Sequence, residues 1–183
     1  MMGKVYDGLE LMRQVRNDYI ENQFILPLAG VDMPYGAVMF LAGEMEKGVK
    51  HINDATNYWA SMGNYTQPTA GHYYLADIYL RMSMGTVKPG LRVILKNLWF
   101  ILRTLPFAGK KARYHLEVLE NKAREYNMPG TLAWALYGLG LLSRKKKRSG
   151  AACSYFTEAL KVAETSDLYI AEKIRAALNS LDQ

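Results

Sequence analysis

The feature that most limits how this chain can fold is a set of small residues placed on two successive helical stretches. Leu139-Gly140 lies in an apolar run that ends in Arg144-Lys145-Lys146-Lys147-Arg148, and Ala152, Phe156, Ala159 and Leu160 follow beyond that basic turn. Spacings of three and four residues place such side chains on one face of a helix. Gly140 has no side chain, and Ala152 and Ala159 have only a methyl group. Two helix backbones can therefore approach closely while Phe156 fills the space beside them. This is the specification of a helical hairpin, and a lone hairpin cannot bury its apolar face, so the pattern calls for neighbours stacked against it.

A Leu-Gly pair followed on the next helix by Ala, three residues, Phe, two residues and Ala resembles a tetratricopeptide repeat, here spanning 133–166. Leu136 stands where that repeat usually has Trp, and Ser143 where it has Tyr. Trp134 is offset by two positions and reads as a surface residue. A looser copy covers 29–62, with Gly36, Gly43, Gly48, Ile52 and Ala55 at small-residue and core positions. Glycine inside a helix costs about 1 kcal/mol relative to alanine, so Gly36 and Gly48 predict close helix contacts. A third copy covers 69–127, starting after the breaker Pro68, with Leu75, Ala76 and Tyr79 on its first helix and Ala112, Leu116 and Leu119 on its second. That second helix arrives about 24 residues late. The extra segment holds a helix-like run, 91–105, between Pro89-Gly90 and Pro106. Residues 1–28 read as a partial repeat with its second helix at about Val5 to Arg16. Residues 167–183 read as a capping helix, Asp167 to Leu181, with Leu168, Ile170, Ile174, Leu178 and Leu181 near one face. The expected fold is a single all-α domain: a right-handed superhelix of tetratricopeptide-like hairpins with an inserted amphipathic helix.

Composition sets the setting. Half of the 183 residues are hydrophobic, enough for a continuous core. The start, Met1-Met2-Gly3-Lys4 followed by Asp7, Glu10, Arg13 and Arg16, lacks the apolar stretch of a secretory signal, and the one cysteine, Cys153, has no internal partner. Both observations predict a cytoplasmic protein. Between Ala152 and Tyr155, Cys153 reads as a small packing residue. The formal charge of +6 favours acidic partners. Its densest cluster, Arg144 to Arg148, reads as a solvated helix end complementing the helix dipole, and no nucleic-acid partner is expected.

Several stretches go beyond the generic repeat. His72 to Tyr79, the run from Leu95 to Leu102 with Pro106-Phe107-Ala108, and Trp134 to Leu142 with the Phe156 hairpin resemble the carboxy-terminal tetratricopeptide region of signalling proteins that pair a class III adenylate or guanylate cyclase with an AAA-type ATPase. The resemblance covers most of the chain and implies a sensing or scaffolding role, with catalysis elsewhere in the polypeptide. No cyclase or ATPase motif is present in this sequence. The chain is then either part of a longer protein or a small free-standing relative.

No catalytic constellation emerges from the residues themselves. Val87-Lys88-Pro89-Gly90 lacks the spacing of a phosphate loop, and Glu44 and Glu46 do not share a helical face. His51, His72 and His115 fall in separate hairpins by this reading, and none has a second His or Cys at ligand spacing on its own helix. The chain is accordingly expected to be no enzyme, and to hold no cofactor and no metal.

Two surfaces are candidates for binding. First helices line the concave side of such arrays, which places Met33, Phe40 and Leu41 of the first copy, Tyr73, Asp77 and Arg81 of the second, and Trp134, Tyr137, Arg144 and Lys145 of the third along one groove. Aromatic residues and arginine are the types in which binding energy concentrates, and the basic residues favour an acidic protein or peptide segment. The second surface is the inserted helix. There Leu91, Ile94, Leu95, Leu98, Ile101, Leu102 and Leu105 form an apolar face beside Arg92, Lys96, Arg103, Trp99 and Phe100. This face suits packing inside the array, a subunit interface between copies of the chain, or an interfacial membrane helix. The leading functional expectation is a non-catalytic interaction or regulatory module, and the alternative is a peripheral membrane-surface module using 91–105.

Overall fold

The computed structural model describes residues 2–64, 66–166 and 168–181. The chain is all-α: helices α1 (Met2–Glu21), α2 (Ile25–Leu41), α3 (Met45–Ser61), α4 (Gln67–Met84), α5 (Leu91–Lys96), α6 (Leu98–Thr104), α7 (Ala108–Glu125), α8 (Pro129–Lys145), α9 (Ser149–Ala163) and α10 (Leu168–Asn179), with a 3-10 turn at Leu105–Phe107 between α6 and α7. There is no strand among the described residues. Helices α2 and α3, α4 and α7, and α8 and α9 form three hairpins, and each hairpin packs on the next through α3 with α4 and α7 with α8. The first helices also touch in sequence, α2 with α4, α4 with α8 and α8 with α10. Helix α1 lies against α2 at one end, and α10 against α9 at the other.

One local device recurs at the helix ends. Three residues join α1, α2, α7 and α8 to the next helix, and here as after α3 the second residue past the helix has positive φ: Gln23 57°, Gly43 90°, Gly63 69°, Asn127 50° and Lys147 56°. The third residue donates its N–H to a carbonyl five residues back, Phe24 to Tyr19 (2.8 Å), Glu44 to Met39 (2.9 Å), Asn64 to Trp59 (3.1 Å), Met128 to Ala123 (2.8 Å) and Arg148 to Ser143 (3.0 Å). A left-handed residue with this bond satisfies carbonyls that a helix end leaves free. At Gln23, Asn127 and Lys147 a side chain occupies a conformation that costs an L-residue roughly 1–2 kcal/mol. The repeated bond and the tight antiparallel packing hold it there.

The second helices share one buried spacing: Gly48, Ile52 and Ala55 on α3, Ala112, Leu116, Leu119 and Ala123 on α7, and Ala152, Phe156, Ala159 and Ala163 on α9. Small residues in these rows set the distance between helices. A methyl group on Gly48 would lie 2.4 Å from the Gly36 carbonyl oxygen and 2.7 Å from the Phe40 backbone nitrogen. One on Gly140 would lie 2.4 Å from the Phe156 ring. The close contacts expected at Gly36, Gly48 and Gly140 are present.

Other expectations need correction. Cys153 is exposed rather than packed, because α9 buries Ala152 and Phe156 and the next position turns outward. Pro68 does not precede its helix but sits in the first turn of α4, where a missing N–H leaves no bond unmade. Helix α8 starts at Pro129, ahead of the expected 133, and α1 runs from Met2 to Glu21, longer than Val5 to Arg16. Asp167, the expected start of the cap, lies outside the described residues, as do 182–183; α10 buries Ile170, Ala171, Ile174 and Ala177.

The insertion departs furthest from expectation. The run 91–105 is not one helix: it is interrupted at Asn97, whose backbone leaves the helical region at ψ 16°. The Asn97 side chain is buried, donating through Nδ2 to the carbonyls of Gly43 and Val93 (2.8 Å each) and accepting at Oδ1 from the Met45 N–H (3.2 Å). One amide thus fastens α5 and α6 to the turn between α2 and α3. Val93, Phe100 and Ile101 pack against the main core, while Leu91, Leu95, Leu98, Trp99 and Leu102 are exposed. The broad leucine face therefore does not pack within the chain.

Gly48→Ala is expected to lower stability by about 1–3 kcal/mol in spite of its gain in helix propensity, since the methyl meets backbone atoms that cannot move aside. Gly8→Ala, at a helical site with nothing within 4 Å of the added methyl, should gain up to about 1 kcal/mol. Denaturant melts of the pair decide whether packing, rather than propensity, fixes Gly48. Asn97→Ala strands the Met45 N–H and the Gly43 carbonyl, at about 1–3 kcal/mol for each group left unsatisfied. Faster amide exchange across residues 91–104, with α8 and α9 unchanged, is the expected reading.

Candidate interaction groove

Helices α4, α8 and α10 border a common groove, α4 and α8 with a stripe of polar and aromatic side chains each. On α4 the stripe is Tyr73, Asp77 and Arg81 at four-residue steps; on α8 it is Trp134, Tyr137, Leu141 and Arg144. The groove between them has a volume near 650 Å³ and is completed by Met84 and Thr86 and by Lys173, Ala176 and Ser180 of α10. The rings of Tyr73 and Trp134 meet across α4 and α8 with centroids 4.4 Å apart. Tyr137 leans on the core ring of Phe156 at 5.9 Å. Burial, reinforced by the Asp77 charge, raises the Tyr73 pKa, so its hydroxyl stays neutral and able to donate.

The charge in the groove is lopsided. Arg81 donates from Nε to Asp77 Oδ2 (2.7 Å), which neutralises the one carboxylate lining the groove, and Arg144 donates to Ser180 Oγ (2.5 Å). Lys173 stands over the Tyr169 ring at 4.3 Å. Three cations thus face one carboxylate, beside apolar and aromatic surface.

The structure brings Asp77, Arg81, Trp134, Tyr137 and Arg144 into the lining of one groove, with Tyr73 beside it against the Trp134 ring. Lys145 lies outside the groove, with its ammonium bonded to the Ser83 carbonyl and to Ser83 Oγ (3.2 Å). Met33 and Phe40 are core residues, 1% and 2% exposed. Helix α2 is covered by α1, α3 and α4, so the side taken for a concave face carries packing. Trp134 is not a simple surface residue either; it is half-buried and touches both large core clusters. Leu41 is exposed but lines a separate hollow with Val87, Lys88 and Val93. Sequence reasoning missed the α10 wall, whose signal is Lys173, Ala177 and Ser180 recurring at helical spacing beside the apolar face of that helix.

A second cluster corrects the reading of the histidines. His72 and His115 lie in one hairpin, on α4 and α7, with their Nδ1 atoms 2.8 Å apart. One ring must donate and the other accept. His115 stacks on Tyr79 (5.7 Å, 15°), and Lys111 caps the other ring contact at 5.1 Å from the Tyr79 centroid. Burial lowers the pKa of His72, and burial with the neighbouring charges of His72 and Lys111 pushes that of His115 down to about 4. Among the described residues no group of three His, Cys, Asp or Glu side chains is placed to hold a metal ion.

No protein-family model, curated protein or solved structure matches the chain.

The histidine pair sets an acid sensitivity. Both folded-state pKa values lie below the unfolded value of about 6.5, so the unfolded chain binds more protons at mildly acid pH. Its contribution is complete above pH 6.5 and is lost as pH falls toward about 4. Thermal melts should show Tm dropping through that window, and His115→Gln, which cannot charge, should flatten the drop.

Proposed function

We propose that this chain is a non-catalytic interaction or regulatory module, a right-handed superhelix of tetratricopeptide-like hairpins that holds an acidic peptide segment in the groove of α4, α8 and α10. The observation that carries the reading is the set of three cations, Arg81, Arg144 and Lys173, standing around Trp134 and Tyr137 in one groove built by three separate helices. Aromatic anchors beside arginine are where interface energy concentrates, and the excess positive charge selects acidic ligands. An extended or short helical segment lies with its apolar side on Trp134, Tyr137 and Leu141 and its carboxylates toward the cations. The resemblance to the carboxy-terminal region of cyclase and ATPase signalling proteins supports a regulatory setting in the cytoplasm, with the segment supplied by a partner or by another domain of the same polypeptide.

The test is peptide selection followed by charge reversal. A displayed random-peptide library selected on the intact chain should yield segments rich in Asp and Glu with spaced aromatic or leucine residues. Arg81→Glu with Lys173→Glu should weaken the selected peptides by at least about 2 kcal/mol, close to thirtyfold, in fluorescence anisotropy. Both side chains are exposed, so melting should change little. Selected peptides that bind this variant as well as the parent would place the binding surface elsewhere.

A further inference from the structure

We infer that the inserted arm, α5 and α6 with the following 3-10 turn, is a docking face for an anionic phospholipid surface. The arm presents Leu91, Leu95, Leu98, Trp99, Leu102 and Phe107 to solvent, with Leu91 72%, Leu95 63% and Trp99 78% exposed. Leu91 and Leu95 lie four apart on α5, and Leu98 and Leu102 four apart on α6 with Trp99 beside Leu98, so each short helix contributes exposed apolar side chains to a stripe. The inner side is committed elsewhere: Asn97 is bonded to the turn between α2 and α3, and Phe100 and Thr104 are buried. The stripe is thus a fixed, outward-facing feature of the folded chain.

The charge around it names the occupant. Between Asp77 and Glu117 the sequence contains no acidic residue, while Lys88, Arg92, Lys96, Arg103, Lys110 and Lys111 all fall in that interval. Arg103 is paired with Glu46, and Lys111 lies over Tyr79. Lys88, Arg92, Lys96 and Lys110 are exposed, and no ion pair among the described residues engages them. A second copy of the chain seated on this stripe would bring like charges together at its rim. Leucines flanked by an interfacial tryptophan, a phenylalanine and a row of cations match a bilayer: the apolar tips enter the headgroup boundary and the cations meet anionic lipid. Among the described residues no helix is long and apolar enough to cross a membrane, so the contact lies in the plane of the surface.

The intact chain should cosediment with vesicles of phosphatidylcholine plus phosphatidylserine, at least about tenfold more than with phosphatidylcholine alone, and high salt should release it. Leu95→Ser with Trp99→Ser, and separately Arg92→Glu with Lys96→Glu, should each reduce the bound fraction about tenfold, with melting temperatures near that of the parent. The emission of Trp99 should shift to the blue on anionic vesicles, a shift that Trp99→Phe removes. The groove variant Arg81→Glu with Lys173→Glu should keep its vesicle binding, which separates this inference from the peptide reading. An intact chain that ignores anionic vesicles overturns the proposal. So does a serine variant that binds them unchanged, or one whose only change is the loss of a dimer or of an acidic protein ligand.

Discussion

The distance at which helix backbones cross governs this protein. At Gly36 and Gly48 two helices touch through main-chain atoms, each glycine lying where a methyl group on the other helix would overlap its carbonyl oxygen. Van der Waals repulsion rises steeply at such separations, so the crossing admits no larger residue without a shift of one helix. The same economy recurs where Gly140 receives the flat ring of Phe156 and where Gly71 lies against Thr56. Once these spacings are set, the positions of the next helices follow, because each hairpin rests on the one before it. The groove exists because α4, α8 and α10 are held side by side at distances that leave their polar stripes uncovered.

Much of the fold could be read from residue types and spacing. Runs of small and large apolar residues at steps of four and three gave the hairpins of α2, α4, α8 and their partners, and glycines inside helices marked close contacts. Helix ends were harder to read, because Gln23, Asn127 and Lys147 adopt a left-handed conformation that their side chains do not advertise. The insertion was legible as an amphipathic element but not as an interrupted one. Its periodicity shows which side chains lie together and is silent on which side meets the protein. That choice was made by Asn97, a single polar residue with two of its three side-chain bonds reaching a turn more than fifty positions earlier in the chain.

The candidate groove was legible to the extent that α4 and α8 repeat one pattern. By repeat position Tyr73, Asp77 and Arg81 correspond to Tyr137, Leu141 and Lys145, whereas the structure lines the groove with Tyr137, Leu141 and Arg144 and turns Lys145 to Ser83. Transfer of that register to α2 failed at Met33 and Phe40 because α2 is enclosed by α1, α3 and α4, with Phe40 inside the main core, an effect of neighbours that no local spacing encodes. The histidine pair escaped for a related reason. His72 and His115 are separated by the whole insertion, so only the closure of α4 on α7 makes them partners.

The anchoring of the insertion has a mechanical consequence. Adjacent hairpins in a stacked array touch only their neighbours and can flex at each junction. The arm leaves α4, bonds through Asn97 to the turn of the hairpin before it, and returns into α7, so it spans one of these junctions as a strut. Flexing between the first two hairpins must break buried amide bonds, whereas the polar ties across the next junction, Lys145 to Ser83 and Arg124 to Glu158, are exposed. The first junction therefore has a buried polar brace in addition to its apolar packing. The groove wall formed by α4 is the helix from which the arm departs, so the same brace fixes the orientation of the arm relative to that wall.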